Sequence, residues 1–264
     1  MTANYKVIGN TIADQASMRD RLYAAYASQH AGYSGGESAR LNYRRHIRPA
    51  LPPPDTGPVL DIGCGQGELV RLMINDGYDA EGVDISPEQV AIAHAAGVAE
   101  VRQGDYRTRL NALHRRLAAV TATDILEHLD KTEVLETFDL VAAALAPNGV
   151  FVARVPNAVS PFGGHIRYGD FTHESWYTAR SVRQLAAAAG FTSVAVLPCS
   201  PLAHGIVSSI RVVVWAISSL LCKLVLAAET GTLRGHIVTQ NLIFVARKDG
   251  IQSRDIKPSR TFNV

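Results

Sequence analysis

From Pro58 onward the chain alternates short apolar runs with helix-period segments, and this alternation most limits what it can fold into. Strands are read at 58–62, 80–85, 100–104, 118–123, 149–155, 193–197 and 241–247. Helices are read at 67–76, 87–96, 131–145 and 179–189. Strands that are apolar throughout and separated by helices belong to a parallel or mostly parallel sheet covered on both faces. Ahead of the sheet, 11–30 and 37–50 read as helices. The run Leu51-Pro-Pro-Pro-Asp-Thr-Gly57 closes that segment, because proline cannot continue a helix. The predicted organisation is therefore N-terminal helices over 1–52, one main domain over 53–250 with an insertion at 199–237, and a tail at 251–264. A chain of 264 residues that is 47% hydrophobic has the apolar material for one sizeable core.

Three motifs sit at predicted strand ends. The first is Val59-Leu-Asp61-Ile-Gly63-Cys-Gly65-Gln66-Gly67, a strand ending in an acid and a glycine turn that opens a helix. Glycines there permit positive φ and bring the backbone close to a ligand. The spacing Gly-x-Gly-x-Gly differs from the dinucleotide fingerprint, and the acid comes before the first glycine. The second motif is Ala80-Glu-Gly-Val-Asp84-Ile85. An acid at a second strand tip suits the two hydroxyls of a ribose, and a helix cap before Ser86-Pro87 is the competing reading. The third is Gln103-Gly104-Asp105-Tyr106, where Asp105 is placed to accept from an adenine amino group and Tyr106 or Ile85 to cover the ring. A solvated turn acid is the alternative for Asp105.

In this order the three segments resemble the class I S-adenosylmethionine-dependent methyltransferases over about residues 55–198. The resemblance implies a Rossmann-like α/β fold with seven mostly parallel strands, helices on both faces, N-terminal lid helices and a helical insertion before the last strand. It also implies that Asp61, Gly63, Gly65, Gln66 and Gly67 cradle the methionine part of the cofactor, that Asp84 holds the ribose, and that Asp105 meets the adenine.

Strand four ends in Thr123-Asp124-Ile-Leu-Glu127-His128-Leu-Asp130, in which Asp124, Glu127 and His128 put two acids and a histidine within five residues, a set suited to a divalent ion. After strand five come Pro156-Asn157 and a loop, 163–178, crowded with His165, Tyr168, Asp170, His173, Trp176 and Tyr177. Long loops of this content are more often functional than structural. The pair of clusters is similar to the acceptor site of the small-RNA 3′-terminal 2′-O-methyltransferases. That likeness implies Mg²⁺ or a related ion on Asp124, Glu127, His128 and His173, with Asp124 also at the cofactor. Ubiquinone-pathway O-methyltransferases carry a similar Glu-x-x-Glu-His, and this chain departs from both families by having Asp at 124. His165 is an alternative to His173. Metal-free base catalysis by His128 and a purely structural Glu-His pair remain open.

A net charge of +2, with no Arg/Lys-rich extension, gives no basic channel for RNA, so a nucleic-acid partner is not expected. Carbohydrate offers the same vicinal hydroxyls, and the whole arrangement resembles bacterial surface-polysaccharide methyltransferases. A sugar or glycan hydroxyl is the first expected acceptor and a quinone or phenol the second; a module that binds cofactor without catalysis is the rival class. Cys64, Cys199 and Cys222 lack metal or disulfide spacing, and the N-terminus reads as no secretory signal, so a cytoplasmic setting is expected. The insertion holds an apolar helix over 206–228. Ser208, Ser209, Arg211, Ser218, Ser219 and Lys223 fall on one half, and Ile206, Ile210, Val213, Ile217, Leu220, Leu221 and Leu224 on the other. Packing of the apolar half on its own domain, or on a twin subunit in a homodimer, is the first reading. An interfacial helix at the inner membrane face is the second. The N-terminal helices, with Tyr23, Tyr26, His30, Tyr33 and Arg40, are expected to form a lid over the cofactor, and solvated helices without function are the alternative.

Overall fold

The computed structural model describes residues 36–249. The first predicted helix, with Tyr23, Tyr26, His30 and Tyr33, and the tail at 251–264 lie outside the described residues. Seven strands form one sheet: β1 (Val59–Ile62), β2 (Ala80–Asp84), β3 (Val101–Gln103), β4 (Leu117–Thr123), β5 (Leu145–Pro156), β6 (Ser193–Pro198) and β7 (Asn241–Arg247). Their order is β3-β2-β1-β4-β5-β7-β6, with β7 antiparallel to both neighbours and the other pairings parallel. The order reverses between β1 and β4, and the crevice beyond the carboxyl ends of those strands is where such sheets bind ligands.

Helices α1 (Gly36–Asn42), α2 (Glu68–Asn75) and α3 (Pro87–Ala95) precede α4 (Tyr106–Ala112) and α5 (Lys131–Ala144). They are followed by α6 (Gly164–Gly169), α7 (Ala179–Ala188) and the long α8 (Ile206–Thr230). The starts are local and chemical. Asp130 accepts from the N–H groups of Thr132 and Glu133 while Glu133 reaches back to the Asp130 N–H, a full capping box. Ser86 caps α3 ahead of Pro87. Asp84, the competing candidate for that cap, lies outside the helix.

Alternate residues of each central strand feed two apolar layers. Leu60, Ile62 and Val120 join Leu110, Phe138, Val141 and Val182 from α4, α5 and α7 on one face. Val59 and Ala119 join Val70, Met73, Val90 and Ala93 from α2 and α3 on the other. Residues 36–50 run as α1, then π- and 3₁₀-helical turns, along the outside of α2. Tyr43 donates from its hydroxyl to Asp76 at 2.9 Å and Arg48 pairs with the same carboxylate at 3.1 Å, at the end of α2 remote from the glycine turn. This described part, α1 with Arg40 included, packs along α2, and Asn42 Oδ1 lies 3.9 Å from Cys199 Sγ just past β6.

Phe138 is fully buried, with the rings of Phe151, Phe244 and Phe191 at 5.4, 5.6 and 6.4 Å. Phe138→Ala is expected to cost about 3–5 kcal/mol in denaturant unfolding. A loss below about 1 kcal/mol would mean that this ring cluster does not hold α5 to the sheet.

Candidate active site

Every strand tip at the reversal carries a polar group, because the strand bodies are apolar on both sides. Asp61 is buried at the end of β1 and accepts a 2.7 Å hydrogen bond from the Thr121 hydroxyl on β4. Burial pushes its carboxyl up to about 7, the Thr121 bond offsets part of that, and Asp84 adds to it. Asp84 ties two turns together: its carboxylate accepts from the Gly65 N–H at 2.8 Å and from the Ser86 N–H at 2.9 Å. Burial raises this acid too, against those two backbone donors.

The glycine turn is shaped for contact. A Cβ at Gly63, where φ is +62°, would fall 2.5 Å from Ile125 Cδ1, so only glycine fits. At Gly65, with φ of +52°, the nearest atom to such a Cβ is Gln89 Oε1 at 4.0 Å, and the space in front of the backbone is open. That Gln89 oxygen is buried and has no hydrogen-bond partner among the described residues. Ile85, next to Asp84, leaves 61% of its surface exposed. An open backbone face, an orphaned polar atom and an uncovered apolar side chain are what an adenosyl ligand would occupy. Gln66 belongs to the same turn and is half-buried.

Two predicted contacts change here. Tyr106 does not cover a ligand: its ring is buried in the core and its hydroxyl bonds Thr137 at 2.8 Å. Asp105 caps α4, accepting from the Arg107 N–H at 2.8 Å, which makes Tyr106 the first residue of the helix and turns it inward with Leu110. Ile85 is the residue left to face an adenine. Asp105 stays at the strand tip, half occupied by its cap and by an ion pair to Arg107.

At the end of β4, residues Leu126–His128 form a 3₁₀ turn. The loop after β5 clasps it. The Glu127 carbonyl accepts from the N–H groups of Glu174 and Ser175 at 2.7 and 3.0 Å, and the Tyr177 hydroxyl donates to the Leu126 carbonyl at 2.8 Å. Asn157 anchors the other side of the loop, donating to the Ile237 and Thr239 carbonyls at 2.7 Å each. The result brings Glu127, His128 and His173 together, with one ligand atom from each within 4.8 Å of the others. Glu127 is 2% exposed, and its Oε2 has no hydrogen-bond partner among the described residues. Burial, then the nearby Asp124 charge, holds its carboxyl well above the usual range.

Both imidazoles are oriented. His173 Nδ1 lies 3.0 Å from the Ile166 carbonyl, which only accepts, so Nδ1 carries the proton. His128 Nδ1 lies 2.6 Å from Thr172 Oγ1, and Thr172 donates its hydroxyl to Asp170 at 2.7 Å. Thr172 therefore accepts from His128, whose Nδ1 is again the protonated nitrogen. In each ring Nε2 keeps the lone pair, the arrangement seen where a histidine ligates a metal or takes up a proton.

Asp124 does not join them. Its carboxylate is engaged by the Arg154 guanidinium, Nε at 2.8 Å and Nη2 in closer contact, which satisfies it without a metal. Asp124 sits at φ +55° directly after β4, and its N–H bonds the Arg154 carbonyl on β5. His165, the alternative to His173, is exposed on α6. Sequence reasoning gave no role to Arg154, Thr172, Asp170 or Gln89. Only the Asp170-x-Thr172 spacing was readable, as a turn in which the Thr172 N–H bonds the Asp170 side chain at 2.8 Å.

A family profile described as a methyltransferase domain matches residues 37–196. The chain is 30% identical over 112 residues to a ubiquinone biosynthesis O-methyltransferase of Xylella fastidiosa, covering 39% of this chain and 44% of that protein. It is 30% identical over 107 residues to a putative methyltransferase of Bacillus subtilis, covering 39% of this chain and 43% of the relative. The match thus spans less than half the length of these curated relatives. In fold, the chain is similar to a SAM-dependent methyltransferase from Archaeoglobus fulgidus, with a TM-score of 0.64 at 23% identity over 86% of this chain and 99% of that one. A phosphoethanolamine N-methyltransferase of Haemonchus contortus aligns with a TM-score of 0.55 at 18% identity over 89% of this chain and 59% of the other. With the sheet order, the glycine turn and the acidic strand tips, the profile match over 37–196 shows that the chain belongs to the methyltransferase-domain family.

Proposed function

We propose that the chain transfers the methyl group to an oxygen, on a sugar or glycan hydroxyl, with a divalent ion held by Glu127, His128 and His173. The observation that carries this reading is the buried Glu127 Oε2, without a hydrogen-bond partner among the described residues, beside the His128 and His173 imidazoles. A bound ion there would lower the pKa of a hydroxyl and fix its oxygen. With Asp124 paired to Arg154, the donor set is two nitrogens and one oxygen. That set favours Mn²⁺, Co²⁺, Fe²⁺ or Zn²⁺ over Mg²⁺, which prefers oxygen. Trp176, 6.0 Å from the His173 ring and stacked under Arg167, offers a flat apolar wall for a sugar.

On the cofactor side, Asp84 would hold the ribose and Ile85 the adenine, with the glycine turn against the methionine part. The acceptor oxygen attacks the methyl carbon as its hydroxyl proton leaves to solvent, the carbon–sulfur bond breaks, and the bonding pair stays on sulfur, giving S-adenosylhomocysteine. Positioning supplies much of the rate in such an in-line transfer.

A second reading is favoured by the Asp170–Thr172–His128 chain. Here His128 Nε2 takes the hydroxyl proton without a metal, and Thr172 and Asp170 hold its tautomer. The names of the ubiquinone-pathway relatives favour a phenolic acceptor in that case.

Turnover against a panel of glycans, nucleotide sugars and phenols, with labelled cofactor, tests these readings. The metal reading expects EDTA to abolish turnover, Mn²⁺ or Co²⁺ to restore it better than Mg²⁺, and Glu127→Ala or His173→Ala to lower it about 100-fold or more. EDTA-resistant turnover lost in His128→Ala would replace it with the second. Thr172→Val should cost about 10–100-fold in kcat/KM on either reading, and full activity in that variant would remove the orienting role of the hydroxyl.

Asp61 yields a pH prediction. Its folded-state value of about 7 means that the free protein holds this proton through the acid range. A ligand carrying an ammonium group favours the ionised form, so binding expels the proton and weakens as pH falls below about 7. Calorimetric titration with S-adenosylhomocysteine should show that loss in the parent chain and a flatter profile in Asp61→Asn. An unchanged profile in the variant would assign the pH dependence elsewhere.

A further inference from the structure

The helix α8 exposes aliphatic side chains along most of its length. The side toward the domain carries Ser208, which is buried, and Val212, Trp215, Ser218, Ser219, Lys223 and Leu226, which are half-buried, while Ser209 and Arg211 are exposed. The opposite side carries Ile206, Ile210, Val213, Ile217, Leu221 and Val225, each 58–83% exposed. The first sequence expectation, an apolar half packed on the chain's own domain, is therefore corrected. The serine hydroxyls are satisfied within the helix itself, Ser208 donating to the Gly205 carbonyl at 2.8 Å and Ser219 to the Ala216 carbonyl at 3.0 Å, and the aliphatic half faces outward. One continuous apolar strip of this length on a soluble surface marks an interaction site.

We infer that α8 lies flat in the surface of an anionic lipid bilayer, with its aliphatic strip among the acyl chains. Length and composition would let it cross a membrane, but its attachments would not. The helix is about 37 Å long at 1.5 Å per residue. Both of its ends return to one sheet edge, where Pro198 of β6 pairs with Leu242 of β7. Residues 231–240 would have to bring the chain back through the bilayer without a regular helix or strand, leaving backbone groups unpaired in hydrocarbon. An in-plane helix needs no such return.

Charge separates a lipid surface from a second copy of the chain. Arg211 and Lys223 flank the strip on its two sides, and no acid occurs between residues 206 and 228. Two strips facing each other would set these cations against a partner helix whose one acid, Glu229, lies in its last turn, whereas anionic headgroups neutralise both cations along the strip. Trp215, on the covered side, meets Phe162 of the acceptor loop with ring centroids 5.9 Å apart, and Gln240 donates to the Phe162 carbonyl at 3.1 Å. Docking through α8 thus holds the acceptor loop beside the lipid surface.

The test is flotation of the full chain with vesicles of phosphatidylcholine and phosphatidylglycerol. The parent chain is expected to float. The double variant Ile217→Glu with Leu221→Glu should bind about tenfold more weakly or worse, while keeping its S-adenosylhomocysteine affinity as proof of folding. A parent chain that stays with the soluble fraction overturns the inference. So does a parent chain that is dimeric without vesicle binding and becomes monomeric in the variant. Because the readout is binding and not turnover, a failure here is distinct from a failure of the acceptor chemistry proposed above.

Discussion

The burial of β1 and β4 on both faces is the constraint from which the rest follows. Val59, Leu60, Ile62, Leu117, Ala119, Val120 and Ala122 have no access to water, so no unpaired polar group is tolerated along the strands. Polar chemistry is driven to the strand tips, where backbone N–H groups and neighbouring side chains can satisfy it. Asp61 marks the boundary: it is inside the layer and survives there by accepting from Thr121 across the sheet. The glycine turn, Asp84, the Leu126–His128 turn and the loop after β5 all hang from that edge.

The tips share an electrostatic character. Asp61, Asp84 and Glu127 are each raised, with burial as the first cause. A crevice of desolvated acids is unfavourable in the free protein and favours cations, such as a sulfonium, an ammonium or a metal ion. Beside them Asp124 is held in an ion pair by Arg154. The acceptor end is held by backbone bonds to the Glu127 carbonyl, so the side chain of that residue is free of structural duty.

The sheet was legible because a doubly buried strand and an amphipathic helix have different periods, and acid–glycine endings announce strand tips. What escaped reading depends on phase or on distance in sequence. Tyr106 is a candidate, with Ile85, to cover the ligand from its place in Gln103-Gly104-Asp105-Tyr106, yet once Asp105 caps the helix, the spacing to Leu110 turns both Tyr106 and Leu110 inward and leaves Ile85 exposed. Arg154 lies thirty residues from Asp124, and only the β4–β5 register, Thr123 beside Arg154, brings them together. The composition of α8 showed its two halves, but not which one faces the domain. Hydropathy favoured burial of the apolar half, and the observed orientation reverses it.

A crystal structure of the chain with S-adenosylhomocysteine and Mn²⁺ tests the central claim most directly. The account predicts the ribose on Asp84, the adenine over Ile85, and the ion on Glu127, His128 and His173 on the side to which the sulfur points. A ligand seated away from the β1–β4 reversal would contradict it, as would a sulfur directed away from those three side chains.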